Sequence, residues 1–352
     1  MTARPARILV HRTPGEVRAA AFNASGRPFR LFIERWDGEN ANLRLSERVE
    51  ARLRRRAPEQ GGGFFEAKSG EEVFVRTADL GKLTEGAAAT LEIVAEARKD
   101  KLARGKVRKG TRGDAVPAFE RWCRSIDPDA RLETASTPAE FDEVEDAFEE
   151  ALAKWCPLPG GGNLGFERTR ALTAVDIDMG GRQTKGSAGA RAFSVNREAV
   201  HETVRQLSLR NLGGLVVMDC VAPVTPSSAE KLRGTLIETF QAYSTRRIDA
   251  LKPSAFGLLQ VQLEWAEAPV EDWLLSADGL PTPETELLAL FRAAARETTA
   301  NRTGFYRLTL SANALRAYIA RRKQCDAMLQ EAFSGRVKIA SGKGEKSVVR
   351  KE

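Results

Sequence analysis

Between residues 42 and 108 the apolar runs are too short for helices and are cut apart by glycine. GGFFEA, EEVFVRT and ATLEIVAEA are each of strand length, and their even spacing predicts a small barrel. The stretch before them has the same character. RILV, VRAAAF and FRLFIERW are separated by Pro-Gly and Ser-Gly-Arg turns. Helices enter only later. Thr137, Pro138 and Glu140 form a capping-box start, and Phe141, Val144, Phe148, Leu152 and Trp155 recur behind it at helical spacing. The acidic residues around them read as a solvated face. Beyond, LTAVDIDM (172–179) reads as a strand, AFSV (192–195) as a further strand and Asn196 as a helix cap. LVVMDC (215–220) reads as a buried strand, 228–243 as a helix and 256–265 as a strand. Helices are expected at 285–299 and 311–332, with FYRLTL a strand between them and KGEKSVVRKE a disordered tail. The fold class is α+β.

Composition narrows the function. No run of about 18 apolar residues exists, which argues against a transmembrane helix. The opening MTARPARILVHRTPGEVR lacks the apolar core of a secretory signal, so the expected setting is cytoplasmic. Cys123, Cys156, Cys220 and Cys325 make no CxxC pair, which argues against a zinc knuckle or a disulfide framework. His11 and His201 are the sole histidines, so carboxylates are the expected catalysts. The net charge of +7, with arginines clustered at 52–56 and basic residues at 98–109, points toward a polyanion.

Asp176 and Asp178 are two apart in a strand pattern and therefore share a face with Leu172 and Ala174, while Thr173, Val175 and Ile177 face the core. Asp219 closes the second apolar strand. Such carboxylates repel one another unless compensated, and Mg²⁺ is the usual compensation; salt-bridged or turn-capping aspartates are the alternative. All three together could hold one ion, which would activate water or polarise a phosphate. In the barrel segment, Phe64 and Phe65 are neighbours and cannot both point inward. Phe64, Phe65 and Phe74 either fill the core or present rings for stacking on unpaired bases, with Lys and Arg following the backbone. The glycines of PGGGN lack a following Lys-Ser or Lys-Thr, so no P-loop is present. Gly180-Gly181 reads as a strand-ending turn.

FERTRALTAVDIDMGGR followed by NREAVHETVRQLSLRNLGGLVVMDCV resembles the ribonuclease E/G family, as do RILVHRTPGEVRAAAF and GGFFEAKSGEEVFVRT. The resemblance implies an RNase H-like nuclease fold (1–42 and 140–270) with an inserted S1/OB-type barrel (43–108), a linker at 109–139 and a small α+β C-terminal domain at 285–345. It implies endonucleolytic hydrolysis of single-stranded RNA, in processing or decay, with Asp176 and Asp219 as ligands of Mg²⁺ or alternatively Mn²⁺. Asp178 joins them as a catalytic residue, and Phe64, Phe74 and Lys101 fall on the family's RNA-binding positions. Four features depart from the family: Asp178 stands where it has Asn, 109–139 is too short for its 5′-end sensor, its zinc-bridging cysteine pair is absent, and QVQLEW lacks its basic residues. The departures imply no zinc-linked dimer. They also keep open a non-cleaving RNA-binding or RNA-chaperone role.

Overall fold

A computed structural model describes residues 5–36, 43–99, 101–109, 116–127, 130–182, 186–343 and 347–352. The chain opens with an antiparallel meander of β1 (Pro5–Thr13), β2 (Glu16–Asn23) and β3 (Pro28–Arg35). Five further strands follow: β4 (Arg48–Ala57), β5 (Gly62–Ala67), β6 (Glu72–Arg76), β7 (Ala88–Ala95) and β8 (Ala103–Arg108). They close into a barrel in the order β4-β5-β6-β8-β7. Alternation builds it: Leu53, Phe65, Val73, Val75, Leu91 and Ile93 are buried inside, and their sequence neighbours face out. The segment VRTADLGK ends β6 and forms a helical turn, α1 (Thr77–Leu80), within this unit.

The stretch 109–139, read from the resemblance as a linker, carries α2 (Ala118–Ile126) and β9 (Arg131–Thr134) in its described part. β9 pairs in parallel with β1, giving the order β3-β2-β1-β9. α3 (Pro138–Leu152) begins with the expected capping box: the Thr137 hydroxyl accepts from the Glu140 N–H, and the Glu140 carboxylate accepts from the Thr137 N–H. Phe141, Val144 and Phe148 pack against the meander.

A six-stranded sheet has the order β10-β11-β12-β13-β15-β14. Its members are β10 (Trp155–Pro157), β11 (Asn163–Arg168), β12 (Leu172–Asp178), β13 (Gly214–Asp219), β14 (Ile248–Ala250) and β15 (Leu258–Leu263). α4 (Ala188–Leu209) connects the parallel pair β12 and β13, and α5 (Pro226–Tyr243) follows β13. Both helices share a core with one face of the sheet, through Val200, Val204, Leu232 and Phe240 against Val175 and Val216. AFSV, expected as a strand, lies inside α4. Ser187, not Asn196, caps that helix, because Ala192, Val195 and Ala199 are buried at helical spacing and continue the turn backwards.

α6 (Val270–Leu274) leads to a final unit of α7 (Pro283–Ala300), β16 (Tyr306–Leu310), α8 (Ala312–Ala320), α9 (Arg322–Phe333), β17 (Val337–Lys343) and β18 (Val348–Lys351). The helix expected over 311–332 breaks at Arg321. Of the tail expected to be disordered, residues 344–346 lie outside the described residues, and Val348–Lys351 form β18, whose Val349 lies opposite Leu308 of β16. The whole is a mixed α+β architecture with a closed barrel. The acidic face of α3 also differs from expectation. Asp142 pairs with Arg296, Glu143 with Arg7, and Glu145 with Arg18 and Arg292, because α3 is packed between the meander and α7.

Candidate active site

β12 behaves as its alternation predicts. Thr173 and Val175 are buried, Ile177 packs on the core, and Asp176 and Asp178 are exposed on the opposite face. The parallel register with β13 runs Ala174 to Val217 and Val175 to Met218. One residue further along each strand come Asp176 and Asp219, on strands about 4.8 Å apart. Among the described residues neither carboxylate has an ion-pair or hydrogen-bond partner. α4 and α5 share the core on the other side of the sheet.

Two devices fix the ends of these strands. Asn196, 1% exposed in the middle of α4, donates from Nδ2 to the Val221 carbonyl at 2.9 Å, and its Oδ1 accepts the Val221 N–H at 2.8 Å. That double clasp holds the chain two residues beyond Asp219. Gly257, at φ +86°, passes so close that a Cβ there would stand 3.2 Å from the Cys220 carbonyl oxygen and 3.9 Å from Asp219 Oδ1. The burial of Cys220, and the Asp219 charge beside it, push its thiol up to about 12, so it is an inert core group.

Asp178 is engaged differently. Its Oδ1 accepts the Gly180 N–H at 2.9 Å, closing the turn in which Gly180 and Gly181 have positive φ. Among the described residues no three His, Cys, Asp or Glu side chains gather in a metal-binding group. Asp176 and Asp219 thus lie side by side with no partner among the described residues, while Asp178 caps a turn. The pair fits a hard cation: two water-exposed carboxylates supply oxygen ligands and leave most of the coordination sphere to water and a phosphate.

On the barrel, Phe65 is buried, while Phe64 and Phe74 are half-buried on the outer surface. Strand register sets Arg55, Phe64, Phe74 and Arg104 in one row across β4, β5, β6 and β8. The two rings meet edge to face at 5.4 Å, and the Arg55 guanidinium stands 4.8 Å from the Phe64 centroid. Arg55 and Arg104 are the members that sequence reasoning missed; only cross-strand register singles them out from the surrounding arginines. Lys101 is outside this row. It sits in the turn between β7 and β8 and lines a cleft of about 380 Å³ with Arg168, Arg170, Leu172 and Leu215, at the start of β12 and β13.

The histidines are elsewhere. His11 is buried and stacked on Phe141 at 4.2 Å, and burial, aided by Arg292 and Arg18, lowers its pKa to about 4. His201 lies on α4 beside Thr239.

A family model described as the ribonuclease E/G family matches residues 81–264. The chain is 36% identical over 133 residues to a ribonuclease E of Buchnera aphidicola subsp. Schizaphis graminum, covering 37% of this chain and 14% of that protein. It is 34% identical over 119 residues to the ribonuclease E of Escherichia coli K12, covering 34% and 11%. To the ribonuclease G of Escherichia coli K12 it is 30% identical over 131 residues, covering 37% and 26%. The matches thus span 11% to 26% of the length of these relatives.

Proposed function

The chain belongs to the ribonuclease E/G family, and on that premise we propose that it is an endoribonuclease that hydrolyses single-stranded RNA at Asp176 and Asp219. The observation that carries the reading is the pairing of these two carboxylates on the open face of the six-stranded sheet, with no cation from the described residues between them. Mg²⁺, or alternatively Mn²⁺, is the proposed occupant, and when bound it supplies the charge that draws in and polarises the scissile phosphate. The chain's own residues then do the positioning. Asn196 and Gly257 hold Asp219 at its strand end, and Asp178 fixes the turn after Asp176. Asp178 stands where the family has Asn, yet the hydrogen bond it accepts from Gly180 is one that an Asn oxygen also accepts.

The barrel is proposed as an S1/OB-type RNA-binding unit over 43–108. Phe64 and Phe74 stack on unpaired bases, and Arg55 and Arg104 meet the phosphates beside them. The cleft at Lys101 leads from barrel to sheet and opens about four residues, roughly 13 Å, upstream of the aspartates along β12. The segments 1–42 and 140–270 are proposed to form one RNase H-like nuclease fold, with 285–345 a small accessory domain. RNA processing or decay in the cytoplasm is the proposed setting; no described helix is long and apolar enough to cross a membrane. The test incubates a 5′-labelled unstructured RNA with the protein in Mg²⁺ or EDTA. Internal cuts that need the metal and vanish in Asp176→Asn and Asp219→Asn support the reading. Cutting by both variants at the wild-type rate refutes the site.

A further inference from the structure

Two aromatic rings stand exposed near the carboxylates without joining a core: Trp155, 53% exposed, and Phe256, 90% exposed. On β10 the next residue, Cys156, is buried beneath the sheet, so Trp155 faces the open side. Register then places it. Trp155 lies opposite Gly165, Gly165 opposite Asp176, and Asp219 opposite Leu258. With Asp176 and Asp219 on neighbouring strands, one line crosses the sheet: Trp155, Gly165, Asp176, Asp219, Leu258.

The indole does not hang off the sheet edge. It lies over Gly165, where a Cβ would be 2.7 Å from Cζ3 and 2.9 Å from Cη2. The ring therefore leans along the line toward Asp176, about one strand spacing, roughly 5 Å, from it. The bare glycine is what permits this. At the other end, Phe256 sits on the turn directly before Gly257, where an added Cβ would stand 3.9 Å from Asp219 Oδ1. A single exposed apolar side chain on a protein surface needs no explanation. A ring toward each end of the carboxylate line, one laid over Gly165 and the other next to Gly257, has the layout of a clamp.

We propose that Trp155 and Phe256 stack on the bases flanking the scissile phosphate, so that the RNA strand crosses the sheet along this line and its phosphate rests over Asp176 and Asp219. This rests on the reading of the aspartates as the RNA-cutting pair. Stacking is tolerant of base identity, so the clamp fixes the position of the strand more than its sequence.

The experiment measures KM and kcat for Mg²⁺-dependent cleavage of an unstructured RNA by wild type, Trp155→Ala, Trp155→Phe and Phe256→Ala. Each alanine variant should lose affinity by a factor of about five to 150. Trp155→Phe should keep most of it, and all melting temperatures should stay at the wild-type value because both rings are exposed. An RNA with abasic residues on both sides of its cut site should weaken wild type but not the double alanine variant. RNA should also quench tryptophan emission in wild type more than in Trp155→Phe. Cleavage by wild type with KM within twofold in both alanine variants overturns the clamp and leaves the nuclease reading intact. Binding by wild type without cleavage removes the nuclease reading; quenching lost in Trp155→Phe then keeps the ring as an RNA contact, and unchanged quenching removes that too.

Discussion

Asn196→Ala separates a positioning role from an ordinary helix residue by the sign of its effect. Alanine is the best helix former, so replacing an exposed mid-helix asparagine should stabilise by roughly 0.5 kcal/mol. Here the side chain is buried and makes two hydrogen bonds to the Val221 backbone, at 2.8 and 2.9 Å. Each is worth about 0.5–1.5 kcal/mol, and Val221 is half-buried, so water replaces only part of what is lost. Set against the helix gain of alanine, the expected net cost is about 0.5–2.5 kcal/mol. Asn196→Asp keeps the acceptor for the Val221 N–H but faces a carbonyl oxygen with a buried carboxylate, and should cost more, about 3–5 kcal/mol. Urea titration followed by tryptophan emission gives the order wild type, alanine, aspartate. Because the clasp sits two residues beyond Asp219, both variants should also lower kcat more than they raise KM. Stabilisation by alanine, or equal stability of the two variants, would refute the reasoning.

Three further outcomes follow from the same geometry. Phe64→Ala and Phe74→Ala should each weaken single-stranded RNA binding by about 1–3 kcal/mol in a filter or anisotropy assay while the barrel stays folded, since the core ring is Phe65. His11 should make the fold acid-sensitive: its pKa falls from 6.5 to about 4 on folding, so the unfolded chain takes up the proton first. The stabilisation is complete above pH 6.5 and lost as pH falls toward 4, by about 3 kcal/mol, and denaturation of His11→Phe across that range should lack this slope. Asp178→Asn should retain activity within about threefold and Asp178→Ala should lose more, because only the former keeps an oxygen for the Gly180 N–H.

What was readable in the sequence was what depends on near neighbours along the chain. The alternation of LTAVDIDM set Asp176 and Asp178 on one face, and the Thr137–Glu140 box started α3 where expected. What escaped depends on partners distant in sequence. AFSV has a strand's composition, but burial of Ala192 and Val195 at helical spacing with Ala199 draws it into α4 and turns Asn196 from a cap into a clasp. The acidic run on α3 looks solvated until the arginines of the meander and α7 are brought to it. Arg55 and Arg104 stand out from the other arginines only once the barrel closes, and Trp155, expected on the apolar stripe of α3, lies beyond its end on β10, a strand of three residues that carries too little pattern of its own.

The most direct test of the central claim is the cleavage assay with a 5′-labelled unstructured RNA, Mg²⁺ against EDTA, wild type beside Asp176→Asn. Internal cuts that require both the metal and Asp176 are predicted. RNA bound but left whole in Mg²⁺ and Mn²⁺ alike, or cut equally well by the variant, would contradict the account.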